Sequence, residues 1–253
     1  MDRSIVKSVP ARVIRKFKTV RARMTCEVPY LWPANYAVIS FTFDDFPASA
    51  AHIGAEIIER FGARATFYSS FSNSGLDSPS GNIASAADAV DLDARGHEIG
   101  CHTFSHMDCS LTSPDSVIND CLRNQGQFST LGLPTPKSFA YPYGGIHSAA
   151  RRSIASIYGT ARTVWFGVNR NTIDLAALRS IPLFGSAART RAANIINSIR
   201  KSGGWLIFYT HDVQSNPSQH GCEPSTLEYV CRLATECGAL LLPVRDVIAT
   251  ISS

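Results

Sequence analysis

Two aspartates and two histidines have the types and spacing that a divalent metal site requires. His102 and His106 lie one helical turn apart, so their imidazoles can face the same side and chelate one ion. Asp44 and Asp45 form an acidic pair further upstream. Two imidazoles and one carboxylate make a facial triad that leaves coordination positions open for water and substrate. Taken alone, the acidic pair is more often a turn or helix cap, and the histidine pair is more often not a ligand pair.

The elements that must position these residues alternate along the chain. β-branched and aromatic runs predict strands, and amphipathic runs between them predict helices. Strands that alternate with helices of this length indicate an α/β fold with a parallel sheet, and seven or eight such units favour a (β/α) barrel over an open sheet with two edges. The predicted strands are 37–43, 65–70, 97–102, 137–141, 162–166, 178–184, 205–210 and 240–243; the predicted helices are 47–61, 85–95, 114–131, 189–200 and 226–237; residues 69–83 predict a long loop.

The reactive side chains follow the ends of predicted strands. Since the carboxyl ends of parallel strands share one face of a barrel, these residues are expected to form a single site. His97 begins the strand that His102 ends, roughly 16 Å away at about 3.3 Å per residue, so His97 is a poor fourth ligand. Glu98 has the parity of His102 and is expected inside the barrel. The residues at strand ends are Asp44 and Asp45, His102 and His106, Pro142, Tyr143 and Gly144, and His211 and Asp212.

Four motifs resemble those of the polysaccharide deacetylase family, the NodB-type carbohydrate esterases. TFDD at residues 42–45 is similar to the family's first motif, and HTFSH at 102–106 is similar to its second. PYG at 142–144 matches most of the third, and FYTHD at 208–212 resembles the last. The resemblance extends over about residues 37 to 250. It implies a distorted (β/α) barrel of about seven parallel strands and the hydrolysis of an N-acetyl or O-acetyl group.

The resemblance also implies which residues bind the metal. Asp45, His102 and His106 correspond to the family's ligands. Their nitrogen and oxygen donors suit Zn²⁺ best, and Co²⁺, Ni²⁺ or Fe²⁺ are alternatives.

The resemblance also implies catalytic roles for three further residues. Asp44 would be the general base that deprotonates the attacking water, and His211 would protonate the leaving group. The backbone N–H of Tyr143 would stabilise the oxyanion, an interaction worth about 3–4 kcal/mol in other hydrolases.

The sequence departs from the family's pattern at two places. The third motif usually has an arginine two residues before the proline, and here that position is Ala140. The fourth motif, an aspartate-rich block that ends in tryptophan, is not evident around residues 163–170. Arg162 or Arg170 could replace the arginine, and Asp212 or Asp174 could orient His211. The sequence does not choose between these alternatives.

The expected substrate is an acetylated oligo- or polysaccharide, most simply one that contains N-acetylglucosamine. Pro142, Tyr143, Tyr209 and Trp165 are the candidate substrate-binding residues, although for an aromatic residue near a strand end core packing is the more common role. An O-acetyl glycan esterase would use the same apparatus. A carbohydrate-binding pseudoenzyme is an alternative of a different class, which the loss of the arginine favours and the intact acidic and histidine residues oppose.

Charge and cysteine content add expectations about partners and location. The net charge is +4, and eight basic residues with one acid lie between Asp2 and Arg23, so the remaining chain offers no nucleic-acid footprint. Seven scattered cysteines without a CxxC pair favour free thiols in a reducing compartment. The N-terminus lacks the apolar region of a secretory signal. These features predict a cytoplasmic protein.

Residues 1–36 are predicted to form a basic amphipathic arm that precedes a catalytic domain at 37–253. Apolar residues recur at steps of three or four from Val6 to Met24, which is typical of a helix with one apolar face that begins near Pro10. Such a helix can dock on the barrel, or residues 5–24 can contact an anionic membrane peripherally. A transit peptide or a disordered tail is a further alternative.

Overall fold

Seven parallel strands close into a barrel with helices around it. The computed structural model describes residues 20, 22–33 and 36–252, and the statements below concern these residues. The ring runs β2-β3-β4-β5-β6-β8-β9, and β9 pairs with β2 along seven residues, from Ala37 with Gly204 to Phe43 with Thr210. The predicted barrel is therefore confirmed. The strands are β1 (Pro29–Leu31), β2 (Ala37–Phe43), β3 (Thr66–Ser69), β4 (Glu98–Cys101), β5 (Ser138–Ala140), β6 (Thr160–Phe166), β7 (Thr172–Asp174), β8 (Leu178–Pro182), β9 (Gly204–Thr210) and β10 (Leu240–Leu241).

The barrel is irregular where its strands are short. β4 and β5 share one registered pair, Cys101 with Phe139, and the β6–β8 ladder shifts register between Arg162 and Phe166. β3 meets β2 at residues 42 and 43, whereas β10 pairs with β2 at residues 38 and 39. The last predicted strand thus lies beside the start of β2 and outside the closed ring.

The helices follow the strands, and several begin at side-chain caps. Ser85 and Asp88 form a reciprocal capping box at the start of α2, and Ser113 caps α3 ahead of Pro114. A π-helical turn, Ala50–Gly54, leads into α1. Two helices are absent from the sequence prediction, α4 and α7. The helices are α1 (Ala55–Arg60), α2 (Ala86–Ala94), α3 (Pro114–Thr130), α4 (Arg151–Tyr158), α5 (Ala188–Ser202), α6 (Pro224–Glu236) and α7 (Val244–Ser252).

The end of the predicted arm pairs with the barrel domain. β1 forms an antiparallel ribbon with β7, and Trp32 stacks on Trp205 with ring centroids 5.9 Å apart. Most of the predicted amphipathic helix, residues 1–19 and 21, lies outside the described residues. Within the described part of the chain, no helix has both the length and the apolar character needed to cross a membrane.

The barrel interior carries polar side chains. Glu98 is buried in β4 and accepts hydrogen bonds from the Thr66 and Ser138 hydroxyls at 2.8 and 2.7 Å and from the backbone N–H of Arg245 at 2.9 Å. Burial raises the pKa of Glu98, although these hydrogen bonds oppose the shift. The predicted inward position of Glu98 is confirmed, because its partners come from the neighbouring strands β3 and β5.

His97 is buried at the start of β4, away from the predicted metal site. Its Nδ1 accepts the backbone N–H of Ala65 at 3.0 Å, and its Nε2 lies 3.0 Å from Glu59 Oε1. Only the neutral ring that carries its proton on Nε2 makes both hydrogen bonds. Burial lowers the pKa of His97 to about 4, although Glu59 opposes the shift.

Because His97 is buried as the neutral form, we expect it to make the folded protein less stable at acidic pH. Between pH 6.5 and about 4 the unfolded chain protonates His97 and the native chain does not, so the free energy of unfolding falls as pH falls through this window. The contribution of His97 to this loss is on the order of 2–3 kcal/mol. Denaturant unfolding of the metal-free protein across this range should show a shallower pH dependence for His97→Gln than for the wild type. Identical pH dependence would exclude His97 as the source.

Candidate metal centre

The predicted site residues meet at the carboxyl end of the barrel. Asp44 and Asp45 follow β2, His102 follows β4, and His211 follows β9. Several residues of this end adopt left-handed backbone conformations, among them Asp45, His106 and Tyr143 with φ of 57°, 52° and 57°. Such conformations are costly for non-glycine residues and cluster at functional sites, where neighbouring structure enforces them.

Asp45, His102 and His106 present one ligand atom each to a common point. These atoms all lie within 4.8 Å of one another. Asp45 Oδ1 lies 2.8 Å from His106 Nε2 and 3.7 Å from His102 Nε2. The same oxygen is buried and has no partner in hydrogen-bond geometry among the residues that the structure describes. A buried carboxylate oxygen without a hydrogen bond, facing two imidazole nitrogens, fits a divalent cation of the zinc type.

The other ring nitrogens of the two histidines are oriented by neighbours. His102 Nδ1 donates to the backbone carbonyl of Ala140 at 2.7 Å, which leaves Nε2 with its lone pair toward Asp45. His106 Nδ1 lies 3.0 Å from the Tyr143 hydroxyl. Metal-binding histidines commonly fix their tautomer in this way. The arrangement therefore suits both Nε2 atoms as ligands.

Asp120 holds the segment that carries His106. This buried residue of α3 accepts the backbone N–H groups of Phe104 and Ser105, both at 2.9 Å, and the Ser105 hydroxyl at 3.0 Å. Three hydrogen bonds to one carboxylate oxygen fix the turn between His102 and His106. Asp120 was not predicted from the sequence, because it lies 14 residues beyond His106 on the next helix.

The site's electrostatics keep Asp45 ionised and His102 neutral. Burial by itself raises the pKa of Asp45, but the contact with His106 and the positive charge of the surrounding histidines outweigh it and lower the pKa below its usual range. Burial lowers the pKa of His102 to about 4, and the neighbouring His106 adds to the shift. An ionised carboxylate and a neutral imidazole are the forms that bind a metal ion.

Asp44 forms a buried ion pair with Arg162. The guanidinium of Arg162, on β6, contacts Asp44 Oδ1 inside the barrel. Burial opposes the charge on Arg162, but Asp44 more than compensates and the pKa of Arg162 is raised. Arg170 instead contacts Ser198 and Ser202 on α5. Of the two arginines that the sequence left open, Arg162 is therefore the one at the site.

Arg162 lies next to the position where the third motif of the family usually has its arginine, which is Ala140 in this chain. Ala140 on β5 and Arg162 on β6 are registered partners in the parallel ladder, so their side chains face the same side. A guanidinium from β6 thus enters the space that an arginine at position 140 would occupy.

His211 lacks the carboxylate that was expected to orient it. Its Nε2 lies 3.7 Å from Asp45 Oδ2, and its buried Nδ1 has no hydrogen-bond partner in the described part of the chain. Asp212 accepts hydrogen bonds from Gln214 and Ser218, and Asp174 pairs with Arg151. The prediction that Asp212 or Asp174 orients His211 is therefore wrong, because both carboxylates are engaged elsewhere.

The ring of His220 lies against His211, with centroids 5.2 Å apart. Burial lowers the pKa of His220, and the nearby His211 adds to the shift. His220 is exposed on the loop after β9, and the fold of this loop brings its ring to the cavity.

A cavity of about 650 Å³ surrounds these residues. The loop predicted at 69–83 forms one wall and meets the loop after β9 through the Ser80 and Ser218 hydroxyls at 3.4 Å. Tyr143, 58% exposed, and Tyr209, two of the candidate substrate-binding residues, both line the cavity. The size and the mixed polar and aromatic lining suit a ligand of one or a few sugar units.

Two predicted substrate-binding residues lie outside the cavity lining. Trp165 is buried in a cluster with Ala22 and other apolar residues, and Arg23 lies over its ring at 5.1 Å. Arg162 and Val164 face the site, so the alternation along β6 turns Trp165 outward. Pro142 is buried and begins the turn at 142–144 that presents Tyr143. The direct contacts predicted for Trp165 and Pro142 are therefore corrected.

Comparison with known families and proteins adds independent findings. The sequence profile of the family described as polysaccharide deacetylase matches residues 33–161, about half of the chain. Chitin deacetylase 2 of Saccharomyces cerevisiae is 29% identical over 175 residues, which cover 69% of this chain and 50% of that protein. The chain thus spans about half the length of this curated relative.

Solved structures share the fold at low sequence identity. The Xyl-CE4 domain of a multidomain xylanase from the hindgut metagenome of Trinervitermes trinervoides aligns with a TM-score of 0.60 and 20% identity, covering 86% of this chain and 92% of that one. A chitin deacetylase from the fungal pathogen Colletotrichum lindemuthianum aligns with a TM-score of 0.58 and 17% identity, covering 88% and 92%. These likenesses support the barrel architecture.

Proposed function

The chain belongs to the polysaccharide deacetylase family, hydrolases that act on the amide bonds of acetylated sugars, and we propose that it removes acetyl groups from an oligo- or polysaccharide containing N-acetylglucosamine. One observation carries the proposal. The triad of Asp45, His102 and His106 opens into the same cavity as the Asp44–Arg162 pair and His211.

The triad would hold a divalent ion, with Zn²⁺ as the best match to two imidazoles and one carboxylate. When bound, such an ion supplies Lewis-acid polarisation of the acetyl carbonyl and a lowered pKa for water. The chain's own contribution is the geometry of the three ligands. The Ala140 carbonyl and the Tyr143 hydroxyl orient the two histidine rings through their Nδ1 atoms.

Asp44 is the proposed general base. Its carboxylate lies beside the triad, where it is buried and paired with the Arg162 guanidinium. An ionised carboxylate can accept a proton from the water that attacks the acetyl carbon. Arg162 would act through Asp44 as a positioning residue.

His211 and Tyr143 complete the proposed mechanism. His211 would donate a proton to the departing nitrogen, because an amine that leaves as an anion is a poor leaving group. The backbone N–H of Tyr143 would donate to the oxyanion as the carbonyl becomes tetrahedral. Both residues line the cavity.

Two alternatives remain open to test. Hydrolysis of an O-acetyl glycan uses the same residues, and an alkoxide needs the proton less than an amine does. A carbohydrate-binding pseudoenzyme would retain the cavity without turnover, but the complete acidic and histidine set at one site opposes it.

The decisive experiment measures acetate release from N-acetylated and O-acetylated glycans, with added Zn²⁺ or Co²⁺ and with a chelator. We expect release from the N-acetylated glycans, loss of release with the chelator, and recovery on metal addition. His106→Ala should weaken Zn²⁺ binding by more than the roughly 10–100-fold that losing an outer-shell partner costs.

His52→Ala is the matched control, because His52 is exposed and pairs with Asp88 away from the site. Release that resists the chelator would contradict the metal assignment. Absence of release from every glycan, with intact glycan binding, would support the pseudoenzyme.

A further inference from the structure

A basic and apolar surface lies on the side of the barrel, beside the β1–β7 ribbon. We call it the arginine face and define it by Arg23, Met24, Leu31, Arg170 and Arg179. Arg23, Met24, Arg170 and Arg179 line a cavity of about 250 Å³. None of the five residues belongs to the catalytic cavity.

The two apolar residues of this face are unusually exposed. Met24 is 82% exposed and Leu31 is 78% exposed, the highest values among the large hydrophobic residues of the described part. Leu31 pairs with Thr172 across the antiparallel ribbon, so the two side chains lie on the same face of the ribbon. Thr172 lines the cavity, and Leu31 therefore lies on the side of the ribbon that faces it. Tyr30, the preceding residue, packs instead against an inner apolar cluster. The apolar residues therefore flank the arginines.

Within the described part of the chain, no acidic side chain compensates the charge of the arginine face. Arg23 lies over Trp165, Arg170 contacts two serine hydroxyls, and Arg179 donates to a backbone carbonyl. Within the described residues none of the three guanidinium groups pairs with a carboxylate. Asp174 is the one acid among the described residues lining the cavity, and the buried Arg151 neutralises it. Three positive charges thus face outward.

We propose that the arginine face docks on the surface of an anionic lipid bilayer. Met24 and Leu31 would enter the boundary between headgroups and acyl chains, and the three arginines would bind lipid phosphates. The sequence just before this face has the same character, since residues 2–22 contain seven basic residues and one acid. A nucleic acid would satisfy the arginines but not two exposed apolar side chains, so a bilayer is the better match.

Sedimentation of the full chain with vesicles tests the proposal. We expect binding to phosphatidylcholine vesicles that contain about 30 mol% phosphatidylglycerol, little binding to pure phosphatidylcholine, and weakening between about 0.1 and 0.5 M salt. The variant Arg23→Ala/Arg170→Ala/Arg179→Ala should bind about 10²-fold more weakly, because each basic residue near an anionic surface contributes about five-fold in affinity. Met24→Glu/Leu31→Glu should bind at least about 10-fold more weakly.

Matched controls lie elsewhere on the surface. Leu122→Glu changes a residue of α3 that is 48% exposed, and Lys137→Ala/Arg232→Ala removes two exposed basic residues. These variants should bind vesicles as the wild type does. All variants should keep the wild-type thermal midpoint and the wild-type acetate release from a soluble oligosaccharide, which separates loss of docking from loss of folding or activity.

Three results would overturn the proposal. Equal binding to neutral and anionic vesicles would remove the role of the arginines. Unchanged binding by both face variants would assign membrane contact to other residues. Failure of the full chain to bind vesicles, or preferential binding to a duplex DNA competitor over anionic vesicles, would exclude the bilayer as the partner.

Discussion

Replacing Arg162 with alanine is expected to lower kcat for acetate release by about 10²–10³-fold, within the range that loss of a general base produces. The variant leaves the buried Asp44 carboxylate without its cation, and because an unpaired buried charge is costly, we expect Asp44 to lose its function as a base. Metal affinity should stay near the wild-type value, because Arg162 contacts none of the three ligands. Steady-state kinetics and Zn²⁺ titration measure the two effects.

A relocated arginine provides the sharpest control. Ala140 is the registered partner of Arg162 on the neighbouring strand, so Ala140→Arg/Arg162→Ala returns a guanidinium to the same space from β5. We expect this double variant to regain at least about 10-fold of the lost kcat, a rescue that a purely structural role of Arg162 would not allow. Arg170→Ala, the matched single variant, should be neutral, since Arg170 contacts α5.

Stability must be measured alongside the kinetics. Breaking a buried ion pair by removing one partner costs about 3–5 kcal/mol, so Arg162→Ala should unfold at lower denaturant concentration. Asp44→Asn serves as the reference for loss of the base itself, and it should bind metal normally. If Arg162→Ala kept wild-type kcat, or if Asp44→Asn lost the metal, the assignment of the two aspartates and their arginine would be wrong.

The barrel was predictable because its signal is local and repeated. Each β-branched run followed by an amphipathic run indicates one strand–helix unit. The number of these units favours a sheet that closes into a barrel. The helix α7 was missed because its start is capped from a distance. The Thr66 hydroxyl accepts the N–H of Val244, and Glu98 accepts that of Arg245. No residue close to Val244 in the sequence indicates this cap. Helix α4 has Ala150 as its N-cap residue, which makes no side-chain cap hydrogen bond.

The site was predictable to the extent that strand ends determine it. Asp45 and His102 come together because parallel strands bring their carboxyl ends to one face. Trp165 was misplaced because its nearness to a strand end was considered without the alternation along β6. Arg162 could not be separated from Arg170, because the choice depends on the register of β6 against β5. The register describes how two strands are aligned, and it cannot be read from a single sequence.

The expected effect of His211→Ala depends on the leaving group. Hydrolysis of an N-acetyl glycan should slow by roughly 10²–10⁴-fold, the usual scale of general acid catalysis. Hydrolysis of an aryl acetate should slow much less, because an aryl oxide leaves without a proton. The measurement is kcat for both substrates with the wild type and the variant at saturating metal.

The surroundings of His211 make this comparison informative. Among the described residues no carboxylate orients its buried Nδ1, and its ring lies against His220 instead. If His211 is the acid despite this, His220→Ala should leave both rates nearly unchanged, although the exposed His220 also lines the cavity. Equal losses on both substrates with His211→Ala would mean that His211 positions the acetyl group. A large, amide-specific loss with His220→Ala would transfer the proton donor to His220, because only the residue that protonates the amine can distinguish the two leaving groups.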